Sequence, residues 1–240
     1  MTRVFARFAD SLKQLGRWWK SKATADTGPN LFQFWNTADP PLQVASLMQG
    51  WRDDPDVTYR RFDAESAETY IAEHIGERAA RAYRQCAVPA MQADFFRYCV
   101  LYQEAGVYVD ADTEKAGSLT ELIAEAPRGM LMNRDRKIAN DFMFFRNRHD
   151  PLLKAVIDQA IENIEGRISN NVWLVTGPGI MSRMYNSEPA LKHLFEGFVI
   201  RPANIVRQTI RFRVDLDYKQ SADDWRKNLG PGGVTIFRDV

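Results

Sequence analysis

The residues with the clearest chemical potential in this chain of 240 are two carboxylates separated by one position, in Asp110-Ala111-Asp112. They follow Val107-Tyr108-Val109, a short apolar run of strand character. They therefore fall at the C-terminal end of a strand, the edge where open α/β sheets bind ligands. In an irregular turn both carboxylates can address one small volume. Their hard oxygens suit Mg²⁺ or Mn²⁺, and such an ion neutralises a diphosphate and the charge that develops as it leaves. A bare D-x-D pattern describes a helix cap or a solvated turn equally well. Upstream, Asp94 and Arg97 are spaced i,i+3 on a helical segment, where a surface ion pair would be worth only about 0.3–0.5 kcal/mol.

Other chemistries are poorly represented. The two cysteines, Cys86 and Cys99, and three histidines, His74, His149 and His193, show no tight pairing of the kind that builds zinc or haem sites. No P-loop and no nucleophile elbow occur in the sequence. A formal net charge of +1 argues against a nucleic-acid partner. With 45% hydrophobic and 26% charged residues, the composition is that of a folded globular domain.

The elements that must position these carboxylates alternate between strand and helix. Leu31 to Trp35 and Asp56 to Phe62 read as strands, with a helix from Leu42 to Trp51 between them. Ala64 to Arg84 is helical with a break near Gly76, and Pro89 to Glu104 is a helix ended by Gly106. Gly129 to Met132 and Phe142 to Phe145 read as strands, and Pro151 to Ile164 as a helix. The pattern predicts an α/β class with a mixed central sheet flanked by helices. The last sixty residues carry no clear periodicity.

One asymmetry stands apart from this domain. Met1 to Lys22 holds six basic residues against Asp10, a balance of +5, so the remainder of the chain is net acidic. Val4, Phe5, Phe8, Leu12, Leu15, Trp18 and Trp19 recur at helical spacing, which predicts a basic amphipathic helix over 1–22. Such a helix either packs on protein or lies on an anionic membrane surface. Residues 23–30, with Gly28 and Pro29, read as a linker, leaving 31–240 as one domain. No run of about 18 apolar residues and no signal-peptide pattern is present, so the expectation is a cytoplasmic protein, peripheral at the inner membrane face if the helix binds lipid.

The stretch Ala93-Asp94-Phe95-Phe96-Arg97-Tyr98, followed by Leu101 to Asp112, resembles the DXD region of glycosyltransferases related to yeast α-mannosyltransferases, capsular polysaccharide sugar transferases and clostridial glucosylating toxins. There a helix bearing S-D-x-x-R-Y leads through G-G-x-Y-x-D-x-D. Ala93 stands in place of the Ser and Ala105 in place of the first Gly. Phe32-Gln33-Phe34-Trp35 is similar to the family's opening H-Q-I-W, Asn140-Asp141-Phe142 to its N-x-F segment, and Thr176-Gly177-Pro178 to its T-G-P turn. Tyr218 to Trp225 occupies the place of a closing motif that often carries histidines and ends in S-W. Trp225 is retained, but Lys219, Gln220, Ser221, Ala222, Asp223 and Asp224 precede it.

The resemblance implies a GT-A-type fold and transfer of a sugar from a UDP- or GDP-sugar to a hydroxyl of a glycan or lipid-linked acceptor, with Mn²⁺ or Mg²⁺ and retention of configuration. It assigns catalysis to Asp94, Arg97, Asp110, Asp112 and Trp225. Phe34, Trp35, Asp94, Arg97, Tyr108, Asp110, Asn140 and Asp141 would contact the donor. Asp110, Asp112, Asp223 and Asp224 would supply metal ligands. Tyr108 and Trp35 are as readily core residues, and Asn140 a turn cap. Two other functions compete: a degenerate transferase-like binding module, suggested by the altered closing motif, and a metal-dependent phosphohydrolase, disfavoured by the lack of further ligands for a two-metal site.

Overall fold

The computed structural model describes residues 28–220 and 235–239. The expected helix over 1–22, and Asp223, Asp224 and Trp225, lie outside the described residues. Six strands form a central sheet in the order β2-β1-β3-β6-β5-β7. They are β1 (Asn30–Phe34), β2 (Thr58–Phe62), β3 (Gly106–Val109), β5 (Gly129–Arg134), β6 (Lys137–Phe145) and β7 (Phe198–Pro202). β1 pairs in parallel with β2 and β3, while β6 runs antiparallel to both β3 and β5. The sheet is therefore mixed, as expected, and β1 starts at the last residue of the expected linker.

Alternation along the strands sends side chains to two cores. Phe32, Tyr108, Leu131 and Met143 face one cluster, and Leu31, Val107, Val109 and Met130 face the other. The first core is built with α2 (Ala64–His74), α3 (Glu77–Gln85), α4 (Pro89–Glu104) and α6 (Pro151–Glu165). The break near Gly76 separates α2 from α3, and Gly76 takes φ +117. On the other face lie Trp51 of α1 (Leu42–Arg52), Leu119 and Ile123 of α5 (Leu119–Ile123) and Val206.

Three local features aim residues at one end of the sheet. First, α4 is buried over most of its circumference, from Met91 to Leu101, which marks a central helix rather than a surface one. It ends at Ala105 with φ 58 and ψ 175, followed by Gly106 at φ +114. A Cβ at Gly106 would lie 2.5 Å from the Asn30 carbonyl oxygen, so only glycine lets β3 approach β1 here. Second, the β5–β6 hairpin turns through Asp135 and Arg136, both at positive φ, the backbone of a type I′ turn. Third, β5–β6 pairing jumps from Leu131↔Met143 to Met132↔Ala139. Asn140, Asp141 and Phe142 are thereby left in a bulge, which lifts the first two over the end of β3.

The described chain from Val172 to Gln220, most of it within the poorly periodic last sixty residues, folds back on the same end. It contains α7 (Val172–Val175), α8 (Gly179–Ser187), a 3-10 turn over Pro189–Phe195, α9 (Ala203–Val206), β8 (Ile210–Phe212) and α10 (Asp217–Gln220). β8 pairs antiparallel with β4 (Thr113–Lys115), directly after the D-x-D turn. Leu216 packs with Val44, Met48 and Ala111, bringing α10 to the carboxylates.

Candidate functional site

Asp110 leaves the end of β3 with its backbone held on three sides. Its N–H donates to the Asp141 carbonyl (3.0 Å), and its carbonyl accepts from Thr113 Oγ1 (2.7 Å) and Gln33 Nε2 (3.2 Å). Trp51 Nε1 in turn donates to Thr113, and the Tyr59 hydroxyl to Gln33 Oε1. The turn that presents the carboxylate is thus clamped by β1, β4 and the bulge of β6.

Arg97 is the hub beneath it. Its guanidinium donates to the Asn140 carbonyl (2.6 Å) and the Ala93 carbonyl (3.1 Å), and Nη2 lies 3.1 Å from both Asp94 Oδ1 and Asp110 Oδ1. Tyr108 lies under the guanidinium plane, 4.5 Å from its centre. Asp94 also accepts from Asn140 Nδ2 (2.9 Å) and from Thr176 Oγ1 (3.4 Å), while Asn140 Nδ2 donates to the Tyr98 hydroxyl (2.8 Å). The Asp94–Arg97 pair is therefore buried, at 9% and 4% side-chain exposure, and is not the surface pair that the i,i+3 spacing alone allowed.

Charge is unevenly balanced here. Burial pushes the Asp110 carboxyl up to about 7; Arg97 opposes that rise, and the carboxylates of Asp112, Asp141 and Asp94 add to it. Its side chain nonetheless keeps 32% of its surface open, so the carboxyl looks outward from the buried hub. Burial likewise raises Asp94, against the pull of Arg97. For Arg97 burial works against the charged form, but Asp110, Tyr108 and Asp94 more than restore it.

Asp112 sits in a different setting. Oδ2 accepts from the Tyr218 hydroxyl (2.7 Å) and lies 2.5 Å from Lys219 Nζ. Tyr218 meets Trp35 edge to face, with centroids 5.2 Å apart. Asp141 pairs through Oδ2 with Arg134 (2.7 Å), while its Oδ1 is buried without a partner. The Tyr108 hydroxyl is buried beside Asp110 and likewise lacks a hydrogen bond of acceptable geometry.

The structure brings Asp94, Arg97, Tyr108, Asp110, Asn140 and Asp141 into one neighbourhood, with Asp112 on the adjoining turn. Phe34 does not join them. It is a buried core residue against Phe96, with ring centroids 5.7 Å apart, because strand alternation turns it toward α4. Trp35, just beyond β1, is partly buried against Val44, Met48 and Leu216. Sequence reasoning left Gln33, Tyr98, Tyr218 and Lys219 without roles. Gln33 and Tyr98 carried a weak signal as polar positions within apolar elements, and Lys219 none. A separate cleft of about 470 Å³, lined by His74, Arg78, Tyr102, His149, Lys154 and Asp158, lies farther along α4. Its Arg78 and Lys154 are already paired with Glu165 and Asp158.

Among the described residues no group of three or more His, Cys, Asp or Glu side chains converges as a metal site, so a cation held by the turn carboxylates would need further oxygens from a bound ligand. The Asp112 carboxylate carries a positive partner in the Lys219 ammonium, and Asp141 Oδ1 is a buried oxygen without a hydrogen bond. Asp110 is committed to Arg97, whereas Asp112 is paired with Lys219 and Tyr218.

Residues 29–128 match the family described as "Glycosyltransferase sugar-binding region containing DXD motif". An initiation-specific alpha-1,6-mannosyltransferase of Schizosaccharomyces pombe is 30% identical over 86 residues, 33% of this chain and 22% of that protein. The Candida albicans protein of the same name is 28% identical over 104 residues, 40% of this chain and 27% of that protein. The chain thus spans under a third of the length of these relatives. The PaToxG glycosyltransferase structure superposes with a TM-score of 0.53 at 17% identity, covering 81% of this chain and 86% of that one. The ligand-free glycosyltransferase domain of the YGT toxin gives 0.52 at 11% identity, covering 72% and 80%. The fold is the GT-A type that the resemblance implied, and the matches support a glycosyltransferase.

Proposed function

We propose that residues 31–240 form a metal-dependent glycosyltransferase domain that moves a sugar from a UDP- or GDP-sugar to a hydroxyl of a glycan or lipid-linked acceptor, with retention of configuration. The observation that carries this reading is the buried Asp94–Arg97–Asn140 hub, which ends in the outward carboxyl of Asp110. The hub's own hydrogen bonds hold the outward Asp110 carboxyl in one place, and a fixed acceptor of this kind is suited to recognising a hydroxyl of a polyol ligand.

In this reading Asp94, Asn140 and Arg97 read the sugar hydroxyls, and Trp35 lies at the base. Asp110 takes the ribose or supports the metal, and Asp112 holds Mn²⁺ or Mg²⁺. Asp223 and Asp224, outside the described residues, are further ligand candidates by the resemblance, and Trp225 would cover the diphosphate. The bound cation would neutralise the diphosphate as it leaves. The acceptor hydroxyl attacks the anomeric carbon from the face the diphosphate departs, and a phosphate oxygen takes its proton, so no protein nucleophile is needed. Asp110 and Arg97 keep the sugar in register.

A thermal-shift panel of UDP- and GDP-sugars with and without Mn²⁺ tests this. Saturation at 100 times Kd adds about 2.7 kcal/mol to the folded state, a readily measured rise in Tm. No rise with any donor in the presence of Mn²⁺ or Mg²⁺ would overturn it. Among the described residues no helix is long and apolar enough to cross a membrane. The basic stretch 1–22 is proposed as a peripheral anchor, each charge near an anionic surface contributing about 1 kcal/mol. Removal of 1–22 should abolish co-sedimentation with anionic vesicles at low salt and spare activity on a soluble acceptor.

A further inference from the structure

The Lys219 ammonium occupies the carboxylate assigned above to the metal. Nζ lies 2.5 Å from Asp112 Oδ2 and also donates to the Arg213 carbonyl. The contact is largely shielded, with 14% of the Lys219 side chain and 19% of the Asp112 side chain exposed. A divalent cation and an ammonium cannot share this one oxygen. Both are drawn by the same negative charge and repel each other at contact distance.

Which cation yields is decided by side-chain chemistry. Arg97 is locked by acceptors from α4, β6 and the β3 turn and cannot leave without stranding Asp94 and Asp110. Lys219 is a point charge on a flexible four-carbon stem, mounted on the short helix α10. Its departure exposes one carboxylate, which the incoming cation takes.

We propose that Lys219 is a built-in counter-ion that occupies the Asp112 carboxylate and keeps the metal position closed in the donor-free protein, and that it is exchanged for the divalent cation. The displaced ammonium would then be free to contact the donor's diphosphate. Lys219 thus acts twice at the donor site, against metal alone and for the nucleotide. The inference rests on the donor-site reading above.

Opposite signs make it testable by binding alone. Titration of Mn²⁺ without nucleotide should give a Kd about tenfold lower for Lys219→Met than for the unmodified chain. In saturating Mn²⁺, UDP or GDP, whichever the unmodified chain binds more tightly, should bind Lys219→Met about tenfold more weakly. Lys219→Arg, which keeps a cation, should lie between the two in both titrations, and matching unfolding midpoints show that the variants are folded. Equal Mn²⁺ affinity in Lys219→Met and the unmodified chain, with Asp112→Asn losing Mn²⁺, would overturn the exchange. Unchanged nucleotide affinity would overturn the second role. Absence of Mn²⁺ binding to the unmodified chain, with or without UDP and GDP, would instead bring down the donor-site reading itself.

Discussion

The two carboxylates of the D-x-D turn are separated by one residue, yet each meets a different kind of cation. Asp110 meets Arg97, whose planar fork is satisfied from several elements and lies over Tyr108. Asp112 meets Lys219, on a short helix that returns from the far end of the chain. The first arrangement is a fixed scaffold, because a buried guanidinium that leaves strands two carboxylates. The second is exchangeable, since the Lys219 ammonium is a point charge on a flexible stem carried by a four-residue helix, with two acceptors in place of a fork held by several elements. Recognition of a ligand's shape belongs on the fixed side and binding of a transient cation on the exchangeable one.

The comparison breaks most readily at Arg97. Arg97→Met should destabilise the protein by about 3–5 kcal/mol, the usual cost of leaving a buried charge unpaired, as read by denaturant unfolding. Lys219→Met should cost clearly less than this, because Asp112 keeps the Tyr218 hydroxyl as a donor. Similar losses in the two would erase the distinction. Asp112→Asn comes next in size. Mn²⁺-dependent donor binding should vanish in calorimetry while the unfolding midpoint stays near that of the unmodified chain, and retained binding would remove Asp112 from the metal site.

Asp94 sharpens the fixed side through pH. Burial holds its carboxyl above the ordinary range, with Arg97, Asn140 and Thr176 opposing. The folded state therefore binds this proton more readily than the unfolded chain does. This group weakens stability little below the ordinary carboxylate pKa, and increasingly as pH rises through and above it. Asp94→Asn should flatten that decline as pH rises above the ordinary carboxylate value of about 4. An unchanged slope would place the titration elsewhere. Asp94→Ala should also cripple transfer yet preserve binding of the free nucleoside diphosphate.

The smallest effect is expected at the turn feeding β3. Ala105 adopts φ 58 and ψ 175, a region that glycine occupies without strain and other residues at a cost of about 1–3 kcal/mol. Ala105→Gly should raise stability by about 1 kcal/mol once the entropy of the added glycine is offset. A loss on substitution would mean that the Ala105 methyl, which is buried, contributes more by packing than the backbone costs.

Periodicity carried much of the fold. The helix ended by Gly106, the strand ahead of Asp110 and the two helices flanking Gly76 follow from apolar spacing and from glycine, which act within a few residues. Most of the expected donor residues also come together. Phe34 was misplaced because adjacency in sequence to Trp35 says nothing of which strand face it takes.

What the sequence by itself determined is therefore local: the α/β alternation, the helix bearing Asp94 and Arg97, and the delivery of Asp110 and Asp112 at a strand end. Tertiary structure alone decided that Asp94 and Arg97 are buried, since the spacing is the same on a surface helix. It also decided that a bulge in β6 lifts Asn140 and Asp141 over β3, because a bulge depends on register with a partner strand. The meeting of Lys219 with Asp112, 107 positions apart in number, needed β8 to pair with β4 and Leu216 to find Val44 and Met48. Such contacts arise from packing over long chain separations, and no residue type at either end announces its partner.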